Sequence, residues 1–302
     1  MTYDVLIIGA GPAGLNAALT LGRSRRTVVV VDAGNPRNAP ASHMHGFLSR
    51  DGMPPSEFLA LARKEVEGYG VDIIQASVTT IHKGFKAELS TGDIIAARRV
   101  IVATGVTDLL PDIPGIKESW GQDVIACPYC HGYEVRDEPL AVIGSAEHAL
   151  LVRQWSKDLI FFPHTTPLDD PAELTARDIR IVPGEITRVV RENGRVKGVE
   201  VDDRVYPRTA VFVRPPFRAN NDILVQLGAD LTEAGVPVVD PTGKTSVPGV
   251  WAAGNIVTPF LQVIASAGAG SMAGAMVNHD LLTEPFSAEM ERHAHLRRSV
   301  VA

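Results

Sequence analysis

Cysteine is almost missing from this chain: Cys127 and Cys130 are the only two in 302 residues. Without a second pair, zinc spacing built from two Cys-x-x-Cys units is excluded, and a zinc site would need scattered histidines. Positive charge is not in excess either. Lys plus Arg number 29 against 35 for Asp plus Glu, a net charge of −6 with the basic residues dispersed, which argues against a nucleic-acid surface. Met1-Thr2-Tyr3-Asp4 lacks the basic region and small-residue cleavage site of a signal peptide, so a cytoplasmic setting is expected. Long apolar runs are absent too. The uncharged stretch Pro259 to Asn278 carries Gly270-x-x-x-Gly274, a spacing seen in membrane helix pairs, but it is rich in Ala, Gly and Ser. That is too weakly apolar for stable insertion, so a helix buried tightly against a cofactor is expected and a membrane span is not.

What is present points to redox chemistry. The length is about twice that of a usual single domain, so two packed cores are expected, and nothing in the composition suggests disorder. Cys127-Pro128-Tyr129-Cys130 brings two thiols close enough to form and break one disulfide, in a motif that usually depresses a thiol pKa. A structural disulfide or half of a zinc site would use the same residues. In a reducing compartment, however, a lone pair is more often catalytic.

Asp4-Val5-Leu6-Ile7-Ile8 is an apolar run of the kind buried in a parallel sheet, followed at once by Gly9-Ala10-Gly11-Pro12-Ala13-Gly14 and a helical pattern through Leu21. Strand, glycine turn and helix form a dinucleotide-binding unit. Gly9 allows the turn, Gly11 admits a pyrophosphate and Gly14 lets helix pack on strand. The next strand, Thr27 to Val31, ends in Asp32, placed about 20 residues on to bind ribose hydroxyls. These residues leave open which dinucleotide is bound.

Three further segments carry a resemblance. Val100-Ile101-Val102-Ala103-Thr104-Gly105 and Gly249-Val250-Trp251-Ala252-Ala253-Gly254-Asn255 flank the Cys pair in the order found in low-molecular-weight thioredoxin reductases, which this chain resembles over essentially its whole length. The resemblance implies an α/β flavoprotein with two dinucleotide-binding domains: a Rossmann-like FAD domain (residues 1–111 and 238–302) and an inserted, smaller Rossmann-like lobe (112–237) bearing the Cys pair. Pro111, Pro114 and Pro237 suit hinge-like crossings. It also implies a homodimer and domain rotation that alternates the pair between flavin and partner. Its FAD contacts map onto Gly9, Gly11, Pro12, Ala13, Gly14, Asp32, Ala33, Asn38, His45, Val78, Ala103, Thr104, Gly105, Gly254, Asn255, Gln262 and Val263. Asn255 replaces the family's usual Asp, and its amide still suits a ribityl hydroxyl. The helix from Gln262 and Val263 would aim its N-terminus at the flavin pyrimidine edge.

The chain departs from that family at the second nucleotide site. After the strand Pro139 to Ile143 comes Gly144-Ser145-Ala146-Glu147-His148-Ala149, where Ala146 replaces the second glycine. The family's His-Arg-Arg cluster for the 2′-phosphate is replaced by Pro163-His164-Thr165-Thr166. NADPH binding is therefore expected to be weak or absent, unless an arginine such as Arg153 or Arg188 folds into place. Without that donor, the chain looks like the dithiol oxidases that close disulfides in natural products of the gliotoxin and holomycin type. The expected partners are a small-molecule dithiol and O2, with H2O2 as product. A reductase fed by NADPH or ferredoxin and a flavin-containing redox-sensing module are the alternatives. His131 stands where the family has an acidic residue, and an imidazole there suits a base taking protons from substrate thiols, with a surface or capping histidine as the alternative. The family's Gly-Gly-Gln-Leu segment is replaced by Asn38 to Phe47, which brings His43 and His45 as candidates for the pocket or merely for loop hydrogen bonds. Asn193-Gly194 reads as a hairpin turn, and Ser287 to Ala302 as the extension of a terminal helix.

Overall fold

The computed structural model describes the backbone of residues 2–300 and the side chains of residues 2–283. The chain divides into two compact units, one of Met1–Pro36, Glu57–Thr107 and Arg218–Ala302, the other of Arg37–Ser56 and Asp108–Phe217. From the N-terminus run Thr2–Ile8 (β1), Pro12–Arg23 (α1), Val28–Asp32 (β2), Pro55–Glu67 (α2), Asp72–Gln75 (β3), Val78–His82 (β4), Lys86–Leu89 (β5), Ile94–Val102 (β6) and Val106–Asp108 (β7). The segment from Ile116–Ser119 (α3) continues through Val124–Ile125 (β8), Pro128–His131 (α4), Leu140–Ile143 (β9), Ala146–Val152 (α5), Leu159–Phe162 (β10), Ala172–Ala176 (α6) and Arg180–Ile181 (β11). Then come Ile186–Glu192 (β12), Arg195–Val201 (β13), Arg204–Pro207 (β14), Ala210–Val213 (β15), Phe217–Ala219 (β16), Asp222–Leu227 (α7), Val250–Ala252 (β17) and Val263–Val300 (α8).

The first unit is built on the sheet β3-β2-β1-β6-β5-β4, with β17 also on β6. β1 lies parallel to β2 and β6, as a crossover through α1 requires. Its continuous apolar run feeds both faces. Val5 and Ile7 join Leu15, Leu21 and Val277 on one side, while Leu6 and Ile8 join Ile81, Leu89 and Leu224 on the other. Truncating a fully buried member such as Ile7 to Ala would cost about 2–5 kcal/mol. The second unit repeats the plan in a parallel sheet, β11-β10-β9-β15-β8, beside the antiparallel meander β12-β13-β14. The expected hairpin is there, with Asn193 (φ 51°) and Gly194 (φ 79°) turning β12 into β13.

Two expectations need correction. The inserted lobe ends between Phe217 and Arg218, not at Pro237, because Ala219, Ile223 and Leu224 bury themselves in the first unit's core. Arg37–Ser56, expected within the FAD domain, clusters with the second unit. In the Gly270-x-x-x-Gly274 helix, a Cβ on Gly270 would collide with the Ala13 backbone and one on Gly274 would sit 2.9 Å from the Ala17 carbonyl, so the small residues let α8 close on α1. No helix among the described residues is long and apolar enough to cross a membrane. The terminal helix runs on to Val300, while the side chains of the expected tail extension lie outside the described residues.

Candidate active site

In the first unit, the β1–α1 turn makes an open cradle. Gly14 packs against the Gly9 carbonyl, which seats α1 on its strand. Gly11 is extended at the N-cap with no side-chain cap, and a Cβ there would meet nothing within 4 Å. Unsatisfied N–H groups at the start of a twelve-residue helix thus face space that a phosphate can fill. Asp32, 9% exposed, accepts the Ala10 N–H at 3.0 Å through Oδ1 and pairs with Arg63 through Oδ2. Each oxygen keeps a further acceptor direction for a ribose hydroxyl. Ala33 is exposed beside it, and Val78 opens β4 half-buried.

Three other predicted residues gather around the same turn. Gly254 lies against Ala13, where a Cβ would come within 2.7 Å of the Ala13 methyl. Ala103 donates its N–H to the Ile8 carbonyl at 2.8 Å. Thr104 is clamped by a residue that sequence reasoning missed: its hydroxyl donates to the Asn220 carbonyl (2.7 Å) and Asn220 Nδ2 donates back to the Thr104 carbonyl (3.0 Å). Gly105 (φ 66°) follows in the left-handed region. Asn255 spends its amide hydrogens on the carbonyls of Thr258, Pro259 and Leu261 at 3.2, 3.1 and 3.0 Å, leaving Oδ1 as the atom to face a hydroxyl. That bracing holds the loop leading to the half-buried Gln262 and Val263 at the start of α8. Uncapped helix start, open glycine, buried carboxylate and packed Gly254 together fit a dinucleotide such as FAD.

In the second unit, Cys127 and Cys130 are joined in a disulfide with Cα atoms 5.2 Å apart. Cys127 caps the short helix Pro128–His131, and the Cys130 N–H donates to the Cys127 carbonyl at 3.1 Å. His131 follows in the same turn. Burial pushes its imidazole below the ordinary range; Glu134 and Asp123 oppose the shift, and His45 and His43 reinforce it. A neutral, proton-accepting His131 is thereby favoured at neutral pH. Tyr129, between the two cysteines, sets its edge against Trp155, centroids 5.6 Å apart, and Tyr129 and Tyr133 are both exposed.

The loop carrying Asn38, His43 and His45 belongs to this unit, apart from the other predicted flavin residues. Arg37 grips Asp108 with two hydrogen bonds (2.8 and 2.6 Å), and Met44 is buried. His45 then lies with Nε2 3.4 Å from Glu134 Oε1 and Nδ1 3.2 Å from Asp51 Oδ2, and His43 Nδ1 is 2.9 Å from Ser42 Oγ. Glu134 and Asp51 carried no recognisable motif, since only the fold brings them to His45.

The second nucleotide-type turn is differently furnished. Ser145 caps α5 by accepting the His148 N–H at 3.2 Å, and His164 Nδ1 accepts the Ile186 N–H at 3.0 Å. The two arginines named as candidates for a 2′-phosphate, Arg153 and Arg188, have partners of their own. Arg153 donates to the carbonyls of Arg177 (2.9 Å) and Ser156 (3.4 Å), and Arg188 holds Glu200 at 2.7 and 3.0 Å.

Comparison with known proteins agrees with this layout. The model of the pyridine nucleotide-disulphide oxidoreductase family matches residues 3–157 and 171–274. Thioredoxin reductase sirT of Leptosphaeria maculans is 34% identical over 95% of this chain and 96% of its own length, and thioredoxin reductase tcpT of Claviceps purpurea is 31% identical over 93% and 95%. The crystal structure of HlmI superposes with a TM-score of 0.94 at 46% identity, covering 97% of both chains. An oxidoreductase from Agrobacterium tumefaciens superposes with a TM-score of 0.86 at 36% identity, covering 94% of this chain and 99% of its own. With its disulfide in one nucleotide-type fold and an open glycine cradle in the other, the chain belongs to the pyridine nucleotide-disulphide oxidoreductase family, as a thioredoxin reductase-like, FAD-dependent enzyme.

Proposed function

We propose that this enzyme runs as a dithiol oxidase: it closes a disulfide in a small-molecule dithiol, with O2 as the final acceptor and H2O2 as product. The observation that carries this reading is the commitment of Arg153 and Arg188 to partners inside the second unit, together with Ala146 and the Ser145 cap at the turn where NADPH phosphates would have to sit. The similarity to sirT, tcpT and HlmI supports it.

A substrate thiolate attacks Cys127 Sγ, the Cys127–Cys130 bond breaks, and a mixed disulfide forms. The second substrate sulfur then attacks the first, releasing Cys127 and the oxidised product. His131, held neutral by burial beside Cys130, accepts the thiol proton. Gly11, Asp32, Gly254 and Asn255 would hold FAD, which when bound would supply a two-electron acceptor for the reduced pair. Tyr129 and Tyr133 offer exposed ring surface to the substrate beside the disulfide.

The test is anaerobic mixing of the flavoprotein with dithiothreitol and, separately, with NADPH, followed by an oxygen electrode trace with each. Bleaching and oxygen uptake with the dithiol alone are expected. Rapid bleaching by micromolar NADPH would instead identify a conventional reductase, and bleaching without sustained oxygen uptake a redox switch.

A further inference from the structure

The oxidation proposed above leaves a proton to place. Two substrate S–H bonds and the Cys127–Cys130 bond break, and one product S–S bond forms. The two electrons rest on the cysteine pair as one thiol and one thiolate, so one of the two protons stays with the pair and the other passes to an imidazole. His131, half-buried and next in sequence to Cys130, is the acceptor assigned above. Its imidazole lies in the field of Glu134, His45, Asp123 and His43, and Asp123 is itself neutralised by Arg195 at 2.6 Å.

Glu134 follows His131 by one helical turn's worth of sequence and also faces His45, whose far nitrogen faces Asp51. The side chains of His45, Glu134 and Asp51 are 19%, 31% and 65% exposed, so the outermost carboxylate stands in water. The loop is braced for this placement. The Gly46 N–H donates to Asp51 Oδ1 (2.8 Å), and Met44 exchanges backbone hydrogen bonds with Gly52 and Met53 (both 2.9 Å).

We propose that Glu134, His45 and Asp51 form a proton relay that carries the proton accepted by His131 out to solvent, from which the reduction of oxygen to peroxide recovers it. This inference rests on the dithiol-oxidase reading. In this relay Glu134, His45 and Asp51 act on the sulfur chemistry through His131. It also accounts for the histidine-bearing loop that stands where the resembled family has a different segment.

The experiment is single-turnover bleaching of the flavin by dithiothreitol, without oxygen, across a pH series from about 5 to about 9. Glu134 favours protonated His131 and a charged His45 disfavours it, so the two variants move the acid limb in opposite directions. Glu134→Gln is expected to shift it to lower pH and His45→Gln to higher pH. His45→Gln should also slow bleaching near neutral pH by about tenfold, with recovery on adding free imidazole as external proton acceptor. Should His45→Gln fail to retain its flavin, Asp51→Asn, altered at the exposed end, reads the same step as slower bleaching restored by imidazole. Slower bleaching with unmoved limbs and no imidazole rescue would overturn the relay and leave the loop a tether. Wild-type protein that bleaches with NADPH but not with dithiothreitol would remove the oxidase reading and this inference with it.

Discussion

Replacing Asn255 by Asp, the residue usual at this position in thioredoxin reductases, should destabilise this protein. The Asn255 amide donates to three carbonyls, those of Thr258, Pro259 and Leu261, within 3.2 Å. An aspartate supplies no hydrogen there and turns a negative oxygen toward the three acceptors. Two lost donors at about 1 kcal/mol each, with some relief from water at this partly exposed loop, give about 2 kcal/mol. For a chain of this size that is a drop of roughly 3 °C in thermal midpoint, accompanied by weaker flavin retention as the loop before Gln262 and Val263 loosens. The penalty has a pH signature. The carbonyls hold the new carboxyl above its unfolded value of about 3.9, so the native state binds more protons than the unfolded state in the window above that value, and the variant regains stability as pH falls through it. Differential scanning calorimetry at neutral and mildly acidic pH reads both effects. An Asn255→Asp protein with wild-type midpoint and full flavin content would show that the loop does not depend on the amide.

Cys130→Ser should abolish dithiol bleaching of the flavin, whereas Cys127→Ser should retain a thiolate-to-flavin charge-transfer band, both read by anaerobic absorbance; normal turnover by either variant would defeat the role of the pair. His148 is buried with Nδ1 unpartnered, and burial, helped by Arg214 and opposed by Glu147, pushes it down to about 4. Its folded value lies below the unfolded one of about 6.5, so stability is complete above that pH and is lost as pH falls toward about 4, by roughly 3 kcal/mol at most. His148→Phe should flatten urea midpoints across that window, and an unchanged slope would exclude His148 as the source. Gly270→Ala should cost about 2 kcal/mol or more through its collision with the Ala13 backbone, and a variant as stable as wild type would show that α8 does not press on α1 as described.

Local chemistry was legible in the sequence and distant chemistry was not. The β1 run, Gly9 to Gly14 and Asp32 lie within one βαβ unit, so spacing alone placed them, and Asn193-Gly194 announced its hairpin because both residues need positive φ. Asp32 gave no hint of Arg63, which reaches it from a helix thirty-one positions on. Likewise the Asn220 clamp on Thr104 and the two carboxylates around His45 depend on where loops return, which no periodicity encodes. The exit from the inserted lobe was misplaced for a related reason: Pro237 is a strong punctuator, but Ala219, Ile223 and Leu224 had already rejoined the first core.

The second nucleotide-type fold also carries the redox pair, which ties its sheet to the chemistry whether or not a nucleotide binds there. The Cys pair sits on the connection between β8 and β9, and these strands flank β15, pairing with it through Val124, Ile125 and the run Leu140–Ile143. All four β9 residues and all four β15 residues are buried, so the sheet that fixes the two ends of the disulfide segment is the core of the unit itself. The parallel sheet is therefore needed to position the redox pair, whereas the turn after Ile143 lies outside that requirement. A Rossmann-like lobe in this chain is for that reason weak testimony to a pyridine nucleotide. The groups that would meet the phosphates are the informative ones, and Arg153 and Arg188 are spent on Arg177, Ser156 and Glu200.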